Sequence, residues 1–304
     1  MEAETGVGAI GLVLHPTRLV DKSVDTVLAF ARGRQMRLLA RESDRDRVPE
    51  GVELLPEDQF VAQADAMIAL GGDGTMLGAL RMTVGRPVPV LGVNHGHLGF
   101  LVEVTPAELP AALAKVAAGE FTIEHQSCLE VGQLPIKYGF NDLVLARAGR
   151  TGTVSVDLTV NGLRYGYYRG DAVIVATPTG STAYNYAAGG PVLSPSSRAV
   201  VITPVAPMSG IGRPVVLGAS DRVTLTVAAE SSPIAADVDG IAAGELDPGD
   251  RLTATMRSEA AQVVRLSASD HASRSRIKLS LLDLPLRRDQ LLELIPPELR
   301  RKPD

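Results

Sequence analysis

Ala66–Leu70 (AMIAL) is an unbroken apolar run that stops at Gly71-Gly72-Asp73-Gly74-Thr75 and gives way to MLGALRMTV, whose apolar residues recur at helical spacing. A short strand with no polar face must be covered on both sides, and a parallel sheet between two layers of helices meets that condition. The flanking chain repeats the unit. GAIGLVLHP at 8–16 is an apolar run closed by Pro16, and after Ser23 the segment VDTVLAFARGRQMRLLA has the periodicity of a helix. VPVLGVN at 88–94 is a further buried strand with a Gly-rich exit, and PAELPAALAKVAAG at 106–119 reads as a helix. This alternation predicts a Rossmann-like, three-layer α/β domain.

Beyond residue 121 the texture changes. TVSVDLTV and LRYGYYRG alternate between apolar and polar residues and meet at Asn161-Gly162, a type I′ hairpin signal. Further strands are expected at 172–178, 199–205, 221–228 and 251–256, so the second half is predicted to be a β-rich, sandwich-like domain. The expected division is 1–124, 125–266 and a C-terminal segment, 267–304, read as a strand and a helix packing back on the first domain. A chain of 304 residues exceeds one ordinary core. With 45% apolar residues but only 4% aromatic and no Trp, that core must be mostly Val, Leu, Ile and Ala.

The net charge of -5 argues against a nucleic-acid binder, which needs a basic surface to neutralise phosphates. A lone Cys128 excludes an internal disulfide and suits a reducing compartment. The N-terminus lacks the basic start of a signal peptide, and no apolar run reaches the roughly 18 residues that span a bilayer. The expected location is cytoplasmic, with no membrane partner.

Three glycines after a buried strand and before a helix let backbone amides approach an anion, to which the helix N-terminus adds its positive end. A carboxylate inside such a loop would repel phosphate, so Asp73 reads either as a metal ligand or proton acceptor, or as the helix N-cap. In Gly170–Gly190 (GDAVIVATPTGSTAYNYAAGG) a strand ends among small hydroxyl residues before an Ala-rich helix, a setting suited to phosphate and ribose. Tyr184 and Tyr186 offer rings for stacking or for core filling. Asn141-Asp142 could read an adenine edge and a ribose diol, or simply form a turn. The histidines of Asn94-His95-Gly96-His97-Leu98-Gly99-Phe100 lack further ligands at metal spacing. Gly6-x-Gly8-x-x-Gly11 spells a dinucleotide fingerprint but precedes and enters a strand instead of following one, and the chain has no GK[ST] sequence.

Taken in order, GGDGT, NHGHLGFL, the Asn141-Asp142 pair, TPTGSTAYNYAAGGP, Arg213-Pro214 and Asp239-Gly240 resemble the NAD kinase family over about residues 8–265. The resemblance implies two domains that enclose the site between them and phosphorylation of the adenosine ribose 2′-hydroxyl of NAD to give NADP. It implies that Asp73 is the general base and that Gly71, Gly72, Gly74 and Thr75 hold the donor phosphates. It places NAD on Asp73, Gly74, Phe100, Asn141, Asp142, Arg169, Asp171, Thr182, Ala183, Tyr184, Asn185 and Ala187. ATP or polyphosphate as donor and a homodimer or homotetramer are also implied, and a magnesium ion or another divalent cation is expected because the donor's phosphate charge must be neutralised. The chain departs from the family in having Asn141-Asp142 for the usual Asn-Glu, and Met208-Ser209-Gly210 for the usual His-Ser-Leu. Two other readings remain open: a lipid kinase of the diacylglycerol and sphingosine type, which shares the GGDG loop, and an inactive NAD(P)-binding sensor.

Overall fold

The computed structural model describes residues 7–96 and 99–267. The first residues of the chain, His97, Leu98 and the segment beyond 267, where a C-terminal strand and helix are expected, lie outside the described residues. The chain divides into two compact units: one runs to Glu124 and resumes at Gln262, and the other is His125–Ala261.

The first unit contains β1 (Ala9–Leu14), α1 (Asp21–Gly33), β2 (Arg37–Arg41), β3 (Glu53–Leu55), α2 (Glu57–Gln63), β4 (Ala66–Gly71), α3 (Asp73–Thr83), β5 (Pro89–Asn94) and α4 (Leu109–Ala118). Its strands run parallel in the order β5-β4-β1-β2-β3. Ile10, Leu12 and Leu14 of β1 pack with Val24, Val27 and Leu28 of α1 and with Leu113 and Val116 of α4. Gly11 points to the other face, where an added Cβ would stand 2.9 Å from Phe60 Cζ of α2. That glycine of the false fingerprint therefore makes room for a fully buried ring, a burial that stabilises by about 1.5–3 kcal/mol. In β5, Leu91 and Val93 join the α1/α4 layer, whereas Gly92 faces Met76 of α3. The sheet thus has helices on both faces, as expected of a three-layer α/β domain.

The second unit is β-rich. β6 (Thr122–Val131), β7 (Tyr138–Gly139), β8 (Asp142–Arg147), β9 (Val154–Val160), β10 (Leu163–Gly170) and β11 (Ala172–Ala176) precede a one-turn helix, α5 (Tyr184–Ala187). β12 (Ala199–Val205), β13 (Ser209–Gly210), β14 (Val215–Gly218), β15 (Val223–Val227), β16 (Ile234–Val238), β17 (Ile241–Leu246) and β18 (Arg251–Arg265) follow. One antiparallel sheet runs β14-β12-β11-β8-β16-β17, and another includes β13-β10-β9-β15 and the start of β18. The last residues of β18, Gln262 and Val263, pair with Pro89 and Val90 in the first unit's sheet. Leu143, Val173, Ile202 and Val238 of one sheet and Val156, Leu158, Leu225 and Leu252 of the other share one core. The hairpin predicted at Asn161-Gly162 is present, with φ of 51° and 83°, the signs a type I′ turn demands. Among the described residues no helix is long and apolar enough to cross a membrane.

Candidate active site

β4 ends at Gly71, Gly72 is the N-cap of α3, and Asp73 is its first residue. No side chain caps this helix, which removes the reading of Asp73 as a capping residue. Its carboxylate turns instead to the segment after β5: Phe100 N donates to Oδ2 at 2.8 Å and Leu101 N donates to Oδ1 at 3.0 Å. Gly99 permits this approach, because a Cβ there would stand 2.1 Å from Asp73 Oδ1. The same segment is gripped from behind by Arg265, whose guanidinium donates to the carbonyls of Phe100 (3.2 Å) and Leu101 (3.1 Å) and pairs with Glu103 at 3.1 Å and Glu124. Arg265 is 5% exposed, so these charge-assisted bonds fix the 100–101 backbone tightly. It is a positioning residue that sequence reasoning missed.

None of Gly71, Gly72 and Gly74 adopts a positive φ. Their use is access. A Cβ on Gly72 or Gly74 would meet nothing within 4 Å, so an incoming group can come close to that backbone, whereas a Cβ on Gly71 would collide with Thr75 Oγ1 at 2.0 Å. Thr75 is buried, and its hydroxyl has no hydrogen-bond partner among the described residues.

The second unit brings three sequence-distant pieces together. Asp239, in the positive-φ turn between β16 and β17, accepts hydrogen bonds from the amides of Phe140 (3.0 Å), Asn141 (2.7 Å) and Asp142 (3.2 Å). Thr177 Oγ1 donates to Phe140 O at 2.6 Å, and Thr177 N donates to Asn141 O at 2.9 Å. Gly180 closes against Asn141 so tightly that a Cβ would stand 1.9 Å from Asn141 O. Asp142 is 4% exposed, and burial pushes its carboxyl up to about 7, assisted by the Asp239 charge and opposed by a hydrogen bond from the Tyr184 amide.

The remaining candidates are distributed as follows. Tyr184 is 45% exposed, Thr182, Ala183 and Phe100 are half-buried, and Ala187 is exposed. Asn185 is turned inward: its amide donates to Ser181 O (2.9 Å) and Pro191 O (3.0 Å), and its Oδ1 accepts from Thr203 Oγ1 (2.6 Å). It holds the turn. Arg169 is exposed at the end of β10, and Asp171 is half-buried with Arg147 at 3.4 Å. The Ala-rich helix expected after Thr182 is only the single turn of α5, which gives way to Gly189 at φ 81°. Among the described residues no three His, Cys, Asp or Glu side chains gather as metal ligands.

A Gly-rich loop at the carboxyl edge of a parallel sheet, with its helix N-terminus and an oriented carboxylate, defines a phosphate-handling α/β protein, here joined to a β-sandwich unit. Residues 15–121 match the ATP-NAD kinase N-terminal domain, and residues 140–266 match the ATP-NAD kinase C-terminal domain. The NAD kinase of Gemmatimonas aurantiaca is 36% identical over 265 residues, covering 84% of this chain and 90% of its own length. NAD kinase 1 of Streptomyces avermitilis is 35% identical over 260 residues, 73% of each chain. The chain belongs to the NAD kinase family. Yeast NADH kinase complexed with NADH shares the fold with a TM-score of 0.80 at 23% identity, covering 94% of this chain and 91% of that one. The NAD kinase from Archaeoglobus fulgidus in complex with ATP gives 0.69 at 22%, covering 90% and 98%.

Proposed function

We propose that this chain transfers a phosphoryl group from ATP or polyphosphate to the adenosine ribose 2′-hydroxyl of NAD, with Asp73 as general base. The observation that carries this reading is the Asp73 carboxylate, aimed by the Phe100 and Leu101 amides instead of capping its own helix. A ribose hydroxyl is a weak nucleophile at neutral pH, so a carboxylate oriented before substrate arrives lowers the barrier by accepting its proton. Gly71, Gly72, Gly74 and Thr75 receive the donor phosphates, the open Cβ positions giving access and the buried hydroxyl of Thr75 giving a donor. Phe100, Asn141, Asp142, Arg169, Asp171 and the stretch from Thr182 to Ala187 receive NAD, with the half-exposed Tyr184 ring as a stacking surface and Asn185 as the brace of that stretch.

A magnesium ion, when bound with the donor, would supply charge neutralisation on its phosphates. Such an ion is held largely by phosphate and water, which suits a chain whose described residues form no three-ligand cage. The ATP complex of the Archaeoglobus fulgidus enzyme and the NADH complex of yeast NADH kinase support nucleotide substrates. A homodimer or homotetramer suits the large apolar side chains exposed along β10, Leu163, Tyr165 and Tyr167. A cytoplasmic setting suits a chain whose lone Cys128 is a free thiol.

The test is a product assay on the pure protein with NAD, NADH, a diacylglycerol and sphingosine as acceptors, and with ATP and polyphosphate as donors. NADP formation is expected, and lipid phosphorylation or no turnover would move the assignment to the lipid-kinase or sensor reading. Asp73→Asn is expected to bind NAD and to lose about 10²-fold or more in turnover. Asn can accept only one of the two amides, so a stability loss of about 1–3 kcal/mol accompanies it. Near-normal turnover by a folded Asp73→Asn protein would refute the base.

A further inference from the structure

Three strand exits lie side by side at the carboxyl edge of the first unit's sheet: β1 beside β4, and β4 beside β5. The loops leaving them are tied by backbone bonds, His15 N to Leu70 O at 2.9 Å and His95 N to Gly71 O at 2.7 Å. His15 and His95 therefore flank the GGDG loop. The Arg18 guanidinium rests against the same segment, its Nη1 standing 3.1 Å from where a Cβ on Gly96 would be.

The polarity of this cluster is one-sided. His15 Nδ1 accepts the amides of Thr17 (3.2 Å) and Arg18 (2.9 Å), so the proton of the neutral ring is on Nε2, which becomes a donor. Arg47 Nη2 donates to the carbonyls of His15 and Arg18, fixing the loop from below. Arg18 is exposed, and no carboxylate among the described residues pairs with its guanidinium. His95 Nε2 is a buried atom with no partner among the described residues. Thr75 Oγ1, buried against Gly71 on the same edge, is likewise without one. A cation, a ring donor and two unpartnered buried polar atoms around a Gly-rich loop have one common complement, a multiply charged oxyanion.

We propose that Arg18, His15 and His95 form a second phosphate subsite beside the GGDG loop, one that grips the phosphate chain of the donor by its charge and not by its nucleoside. The proposal rests on the kinase reading only in calling the anion a donor. His95 is held below the usual imidazole range by burial first, then by the neighbouring Arg18 and His15, so the bare site carries less positive charge than its residue count implies. The guanidinium of Arg18 is then its main fixed charge, and two-pronged bonding to phosphate oxygens is what that group does well.

Inorganic tripolyphosphate, which has no nucleoside, is the probe. Its binding to the full chain is measured by calorimetry alongside Arg18→Ala, Arg18→Gln and Arg18→Lys. Loss of the guanidinium in the first two is expected to weaken tripolyphosphate by about tenfold or more, with Arg18→Lys keeping part of the affinity. The KM for ATP is expected to rise in parallel while the KM for NAD stays put. The side chain is exposed, so matched urea unfolding is expected, and any one folded variant suffices. Unchanged tripolyphosphate affinity in Arg18→Ala or Arg18→Gln, or no binding by the wild type, would overturn the subsite. Arg18-dependent tripolyphosphate binding in a protein that makes no NADP would leave the subsite standing and overturn the kinase reading instead.

Discussion

Asp142→Asn isolates the electrostatic cost of burying a carboxyl beside Asp239. The native carboxyl is buried beside the Asp239 carboxylate and titrates at about 7, against 3.8 for the ordinary group. Well below pH 3.8 both states are protonated and the site contributes nothing. As the pH rises, the unfolded chain ionises while the native chain retains its proton, so stability falls until the native group titrates too. At about 1.36 kcal/mol per pKa unit the whole loss is about 4 kcal/mol, of which about 2–3 kcal/mol falls between pH 5 and pH 8. Asn keeps an acceptor for the Tyr184 amide and carries no charge, so it should escape the loss. Urea unfolding of both proteins at pH 5 and pH 8, without ligand, reads the difference, and titrating groups not coupled to Asp142 cancel in it. The stability advantage of the variant over the wild type should grow by about 2–3 kcal/mol from pH 5 to pH 8. The same variant should bind NAD more weakly, because the carboxylate proposed for the ribose diol is gone. Parallel pH profiles for the two proteins would refute the reasoning.

The other expectations concern close approaches. Gly99→Ala puts a Cβ 2.1 Å from Asp73 Oδ1, so the carboxylate must leave its amides; turnover should fall about tenfold or more and stability by about 1–3 kcal/mol, and unchanged turnover would show that the Asp73 pose is not needed. Gly180→Ala meets the Asn141 carbonyl, backbone that cannot swing aside; it should cost about 1–3 kcal/mol or more in urea unfolding and raise the KM for NAD with a smaller change in kcat. A Gly180→Ala protein with wild-type NAD affinity would separate Asn141 from dinucleotide binding.

Much of the architecture was legible because it rests on local signals. The Ala66–Leu70 run and its Gly-rich exit specify a doubly covered strand, and Asn161-Gly162 specifies a hairpin, each within a few residues. The β16–β17 hairpin was harder to see. Its strands, IAADV and IAAGEL, are rich in Ala and carry little β-branched character, although Asp239 and Gly240 take φ of 50° and 74°. The Ala-rich stretch after Thr182 misled in the opposite direction. Its composition favours a helix, but Asn185 is bonded to Pro191 and Thr203, and Gly189 turns the chain after one turn. The site's partnerships were out of reach for a different reason: Asp73 meets amides 27 and 28 residues away, and Arg265 reaches Phe100 across 165. No local pattern encodes such distances.

The glycines do retain a trace of those long-range contacts. Gly99, Gly180 and Gly190 all have ordinary φ, so no turn requires them. What excludes a side chain at each is a residue of the site: Asp73 Oδ1 at 2.1 Å, Asn141 O at 1.9 Å and Asn185 Oδ1 at 2.0 Å from the position of an added Cβ. At these three positions the glycine marks where a candidate site residue or its brace presses against the backbone. The departure at Asn141-Asp142 fits the same tight construction. The first two residues of the Phe140–Asp142 segment are held by Thr177, all three by the Asp239 carboxylate, and the Gly180 contact leaves no slack at Asn141. From that fixed backbone the short Asp142 carboxyl already meets the Tyr184 amide. A side chain longer by one methylene would have to leave that amide or displace the turn that presents Tyr184, so the bond that joins the Phe140–Asp142 segment to the Tyr184 turn depends on the length of Asp142.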